Sequence, residues 1–289
     1  HCGRAQHRPC SRRLQVGGFR AMAGEGSPAT ASSIESEWVE TPVGKVEVKF
    51  AVPAGRRPLA LALMVHGMSP SPEIIWEWGF LIEPLRQRKL AVVCPNLHSC
   101  DATSPKLGSP QAVVRALEAI VAWALGQVDG GLAVPVLVYG KSWGGAVAIQ
   151  FCSGTGKDRD GEGPKFSMAG MVLACPSTRM EDREAQIASL SVPIFLAWAK
   201  DDTVLPFEQC APLDAELRRR TTGATICVSV EVGGHRIDLM AAGDEGLASR
   251  LVDWPDLALG PLAKLGSAAL PPSASKSGSG AAEAAAEAA

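Results

Sequence analysis

Residues 134–149 constrain this chain more than any other stretch. An apolar run, Val134-Pro-Val-Leu-Val-Tyr139, ends in Gly140-Lys-Ser-Trp-Gly144, and a helical pattern follows at once. A strand that passes directly into a helix through G-x-S-x-G is what a nucleophile elbow needs, a strained turn that lifts a serine hydroxyl above the sheet edge. The residues two before and two after that serine must be small, because strand and helix pass close together there. The segment therefore predicts a strand, a sharp turn carrying Ser142, and a helix. The same letters hold a decoy. Gly140-Lys141-Ser142 ends like a phosphate-binding loop, but that motif needs a glycine where this chain has Pro135. The residues between read as buried strand and leave no loop to wrap a phosphate.

Around this segment, short apolar runs alternate with longer amphipathic ones. Val46–Val52 alternates in the manner of a half-exposed strand. Leu59–Val65, Ala91–Cys94, Val134–Tyr139, Gly170–Cys175, Pro193–Ala199 and Thr225–Val232 read as further strands. Helical patterns fill the gaps at Glu73–Arg88, Gln111–Leu125, Gly144–Cys152, Phe207–Arg220 and Ile237–Trp254. Such alternation predicts βαβ units and a mostly parallel sheet covered by helices on both faces. One α/β domain over residues 34–263 accounts for it.

A serine hydroxyl is a weak nucleophile and needs a general base, usually a histidine oriented by a carboxylate. His235 is the one histidine after Ser142, and it follows a strand through Gly233-Gly234. His66 ends a strand before Gly67 and is expected to shape a loop. Asp201 and Asp202 both follow Pro193–Ala199, and their position alone does not separate them. The order Ser, Asp, His differs from that of chymotrypsin and subtilisin.

His66-Gly67-Met68, Gly140-Lys-Ser142-Trp-Gly144, Asp202-Thr-Val-Leu-Pro206 and Gly234-His235 together resemble the α/β-hydrolase-fold serine hydrolases, over residues 40–255. In those relatives an acid commonly stands four residues before a proline after the penultimate strand, which selects Asp202. The resemblance implies a catalytic set of Ser142, Asp202 and His235, and an oxyanion hole made by the backbone N–H groups of Met68 and Trp143. It implies a small-molecule acyl substrate and no metal or organic cofactor. The expected reaction is cleavage of an ester, thioester or related acyl bond through an acyl-enzyme. The alternative is a hydrolase-fold binding protein without turnover; peptidase, lipase and acyltransferase chemistry share the scaffold. The short connection Pro176–Ser191 leaves no room for a large cap, a layout similar to dienelactone hydrolases and small esterases. Dienelactone hydrolases use a cysteine nucleophile where this chain has Ser142. A second departure is Pro95-Asn-Leu-His-Ser-Cys-Asp101, where many relatives carry an Asp-x-x-Gly-x-Gly type of loop.

Trp76 and His98 are candidates to line a substrate pocket. Their plainer readings are burial of Trp76 by a helix beginning near Glu73, and a solvent-facing His98. Arg179, Arg183 and Lys106 are expected to be solvated surface charge.

Composition narrows the class further. Lys+Arg 28 against Asp+Glu 30 gives a net charge of −2, which provides no basic field for nucleic acid. No apolar run approaches the roughly 20 residues that cross a bilayer, so no stable membrane insertion is expected. The eight cysteines are dispersed without a C-x-x-C pair, as expected of free thiols in a reducing, cytoplasmic setting. Residues 1–33 open with an arginine-rich, acid-free leader, which reads either as an organellar transit peptide or as sequence upstream of a start at Met22. Residues 264–289 read as a Pro/Ser/Gly and Ala/Glu tail.

Overall fold

Runs that are apolar at every position become the middle of a sheet, because only a strand covered on both faces can avoid exposing them. In the computed structural model, Ala60–Val65, Val136–Lys141 and Ile194–Ala199 are buried at every residue. The structure describes residues 34–55, 57–68, 76–97, 110–154, 166–180, 182–220 and 223–260. The expected leader 1–33 and tail 264–289 lie outside them.

The described strands are β1 (Glu35–Thr41), β2 (Gly44–Ala51), β3 (Ala60–Val65), β4 (Leu90–Asn96), β5 (Val136–Lys141), β6 (Met168–Ala174), β7 (Ile194–Ala199) and β8 (Thr225–Val230). They form one sheet in the order β1-β2-β4-β3-β5-β6-β7-β8. β2 pairs antiparallel with both β1 and β4, and the remaining pairs are parallel. The described helices are α1 (Gly79–Gln87), α2 (Pro110–Gly126), α3 (Trp143–Ser153), α4 (Arg183–Ser189), α5 (Cys210–Arg218), α6 (Ile237–Gly243) and α7 (Glu245–Leu259). The mostly parallel sheet flanked by helices is the expected architecture, and among the described residues there is no large cap. The one helix described between β6 and β7 is the short α4. Among the described residues, no helix is long and apolar enough to cross a membrane.

Three expectations need correction. β1 was not expected, because Glu35-Ser-Glu-Trp-Val-Glu-Thr41 is mostly polar; Val39 is its residue buried against the core. Its pairing with β2 is held by a tight turn, in which Thr41 Oγ1 donates to the Gly44 carbonyl at 2.6 Å. The single helix expected over Ile237–Trp254 is two helices. Asp244 breaks it by leaving helical geometry (φ −139°, ψ 99°) and capping α7, its carboxylate accepting from Leu247 N–H at 2.9 Å. The helix expected from Glu73 begins, within the described residues, only at Gly79, after a turn over 76–78.

The strand order reverses between β3 and β5, and a crevice opens at the carboxyl ends of strands at such a reversal. Residues 66–68 follow β3 and Ser142 follows β5, so the two loops flank that crevice. Asp202 and His235 follow β7 and β8 at the same edge.

Candidate active site

At Ser142 the backbone takes φ 54° and ψ −123°, a conformation L-residues rarely adopt. The turn is clamped on both sides. Ser142 N–H donates to the Ala174 carbonyl at 3.0 Å, and its own carbonyl accepts from Ser177 N–H at 2.8 Å. A side chain at Gly140 would come within 2.5 Å of the Gly144 carbonyl oxygen. One at Gly144 would come within 2.3 Å of the His66 carbonyl oxygen. The two glycines are therefore steric requirements of the turn, as the spacing predicts.

Ser142 Oγ, His235 and Asp202 form one hydrogen-bonded chain. Asp202 Oδ1 accepts from Val204 N–H and Leu205 N–H, both at 2.9 Å, and its Oδ2 lies 2.7 Å from His235 Nδ1. Burial alone would raise the Asp202 carboxyl, but the bonds from His235, Leu205 and Val204 outweigh it and hold it below the usual range. An ionised carboxylate only accepts, so Nδ1 carries the proton and donates. In the neutral ring Nε2 is then an acceptor, and Ser142 Oγ donates to it at 2.8 Å. A hydroxyl presented this way can lose its proton to the ring as it attacks an electrophile.

The neighbouring Asp201 does a different job. Its carboxylate accepts from Gly234 N–H at 2.7 Å and from Gly233 N–H at 3.3 Å, which pins the loop that carries His235.

His66 organises the loop after β3. Leu97 N–H donates to its Nε2 at 2.9 Å, so that nitrogen is unprotonated and Nδ1 carries the hydrogen. Nδ1–H then donates to the Gly67 carbonyl at 2.6 Å. Because the peptide unit is planar and trans, fixing the Gly67 carbonyl also fixes the direction of Met68 N–H. Trp143 is the first residue of α3, where helix geometry leaves the N–H groups without intrahelical acceptors.

Sequence reasoning overlooked three residues here. Cys175 follows β6 with φ 34°, and its thiol, an Asp202 carboxylate oxygen and a His235 ring nitrogen lie within 4.8 Å of one another. That spacing also suits metal ligands. However, burial, reinforced by Asp202 and Glu77, pushes the Cys175 thiol well above its ordinary value against the opposing pull of Lys141. A thiol kept protonated is a poor metal ligand, and the short Asp202–His235 bond already occupies both partners. Lys141 and Glu77 form a buried ion pair, with Nζ 3.4 Å from Oε2. The signal for Lys141 was a charged residue at the end of an otherwise apolar strand. Glu77, between two tryptophans, gave none.

Trp76 is partly buried against the core, with Lys49 Nζ 3.9 Å above its ring. His98 and Lys106 lie outside the described residues.

With this geometry in place, the comparisons with known proteins are direct. The model of the alpha/beta hydrolase family matches residues 62–275, and the chain belongs to that family. No curated protein matches the sequence at a significant level. Among solved structures, the fold is similar to an α/β serine hydrolase without a lid from Xanthomonas campestris, with TM-score 0.57 and 13% identity over 81% of this chain and 96% of that one. It is similar to a dienelactone hydrolase from Anabaena variabilis, with TM-score 0.55 and 15% identity over 78% of this chain and 95% of that one. A third similar structure is a thermophilic esterase from Thermogutta terrifontis with propionate bound, with TM-score 0.58 and 12% identity over 79% of this chain and 94% of that one.

Proposed function

We propose that the protein is a serine hydrolase that cleaves an ester, thioester or related acyl bond by way of an acyl-enzyme. The observation that carries this reading is the unbroken chain from Asp202 through His235 to Ser142, ending on a serine held at positive φ. Ser142 Oγ attacks the carbonyl carbon while His235 Nε2 takes its proton. The carbonyl oxygen, now an oxyanion, accepts from the N–H groups of Met68 and Trp143, donors worth roughly 3–4 kcal/mol each in such sites. Collapse expels the alcohol or thiol, which takes the proton from His235. Water then repeats the sequence on the acyl-enzyme and releases the acid. Asp202 holds the ring in one tautomer and stabilises its charged form.

Apolar side chains in the loops that follow the site-bearing strands favour an acyl group with apolar character. Met68 after β3, Val204 after β7 and Val232 after β8 are each more than half exposed. The free thiols of Cys94, Cys152, Cys175, Cys210 and Cys227 favour a reducing, cytoplasmic setting.

Treatment of the purified protein with a fluorophosphonate probe, followed by mass spectrometry, tests the reading. Stoichiometric phosphonylation at Ser142, absent in Ser142→Ala, is the expected result. A folded, monodisperse sample that takes up no label would overturn it and favour a binding protein on the same fold.

A further inference from the structure

From the packing beneath the oxyanion loop, and resting on the acyl-transfer reading above, we infer that Glu77 and Lys141 are positioning residues. Ionised Glu77 ties Lys141 to the Gly67 backbone under Ser142, so the site is competent only when Glu77 has lost its proton and His235 is neutral. Both side chains are almost fully buried, Lys141 at 2% and Glu77 at 0% exposure. A buried ion pair is poor value as a source of stability, because apolar side chains of the same volume often do as well or better. What distinguishes this pair is its place.

A methyl group added at Gly67 would sit 3.1 Å from Lys141 Cδ, 3.2 Å from its Nζ and 3.3 Å from Ser142 Cβ. The ammonium, the oxyanion loop and the serine therefore share one packed contact. Glu77 approaches from the turn before α1. Neither of its carboxylate oxygens has a well-formed hydrogen bond, although the Lys141 ammonium and the Gly67 N–H both act to favour its charged form. Loss of the proton strengthens both contacts at once. Gly67 N–H and the Gly67 carbonyl belong to successive peptides; the first faces Glu77 without a well-formed hydrogen bond, and the second is held by His66. The His66 bond sets the direction of Met68 N–H, and the Glu77 contact acts on the peptide before it.

The groups facing Glu77 set when it ionises. Burial raises its carboxyl to about 7; Lys141 on β5 and the Gly67 N–H oppose that rise, and Asp238 on α6 adds to it. Asp238 is itself paired with Arg236, whose Nε lies 2.8 Å from its Oδ1. The Cys175 thiol, which senses both Lys141 and Glu77, stays protonated, and His66 is held neutral by Leu97 N–H. Glu77 thus titrates close to the ordinary range of a histidine.

Rates of Ser142 phosphonylation between pH 5 and 9, together with the Gly67 amide resonance over the same range, test the inference. In the wild type the acid limb should show a two-proton dependence, reduced to one proton in Glu77→Gln, with a plateau roughly ten- to hundredfold lower. Lys141→Met removes the cation that favours ionised Glu77, and should move one of the two ionisations to higher pH. In wild-type protein the Gly67 amide should titrate near pH 7, and in Glu77→Gln it should not. A Gly67 amide that ignores pH, or identical acid limbs in wild type and Glu77→Gln, would overturn the inference even with Ser142 fully reactive. A titrating Gly67 amide in a protein that never labels would support the linkage and break the acyl-transfer reading instead.

Discussion

Asp202 and Glu77 are two carboxylates with fully buried side chains, within one short network, and they are driven in opposite directions. Asp202 is held below the carboxylate range and Glu77 is raised to about 7. Burial pushes both upward. The difference lies in the donors. Asp202 receives two backbone N–H groups and an imidazole N–H at 2.7–2.9 Å. Glu77 has a cation at 3.4 Å and no well-formed hydrogen bond. Directed hydrogen bonds, more than burial or a nearby charge, decide which buried acid stays ionised. One carboxylate is thereby a fixed charge across the working pH range, and the other is a variable one.

The largest effect that would break this comparison is at the fixed charge. Asp202→Asn removes the acceptor that selects the His235 tautomer, and turnover of an activated ester should fall roughly 10³–10⁴-fold. Asp201→Asn, which keeps an oxygen for Gly234 N–H, should cost less than about tenfold. If steady-state kinetics reverse that ranking, the two neighbouring acids have been assigned the wrong roles. The variable charge should show in stability. Between 4.5 and about 7 the folded protein holds a proton on Glu77 that the unfolded chain has released. Stability therefore falls as pH rises through that window and levels off above it. Asp202 acts with the opposite sign: its contribution is present above the unfolded value of 3.8 and is lost as pH falls through its lower folded value. Urea unfolding at pH 5 and pH 8 should show the Glu77 decline, and Glu77→Gln should flatten it by roughly 1–3 kcal/mol. The smallest effect belongs to Cys175. A thiol is a weak donor, so Cys175→Ala should lower ester turnover by less than about fivefold. A larger loss would make the thiol a significant partner of Asp202.

Legibility in the sequence followed locality. β3, β5, β6 and β7 announce themselves because central strands must be apolar on both faces. The turn at Ser142 does so because its glycines and its flanking strand and helix are consecutive in the chain. β1 is an edge strand whose existence depends on pairing with β2, and a polar heptapeptide does not advertise a partner. The break at Gly243-Asp244 was written in plain cap chemistry, but the apolar periodicity running through it hid the signal. In the site, Ser142, the Asp201-Asp202 pair and His235 could be picked out because each stands at a predictable strand end. The Glu77–Lys141 pair could not, since it joins a turn before α1 to the end of β5, and nothing in either segment names the other.

Asp201 and Asp202 are consecutive, and they hold the consecutive residues Gly233, Gly234 and His235. Loops at a sheet edge are usually among the first parts of a fold to fluctuate. Here the two loops are laced by three hydrogen bonds between adjacent residues, so Asp202 and His235 open as one unit. Gentle warming would then thin the population of molecules with this arrangement intact, without creating a species that keeps Asp202 in place and has lost His235. The amplitude of the pH profile would shrink while its midpoints stayed in place.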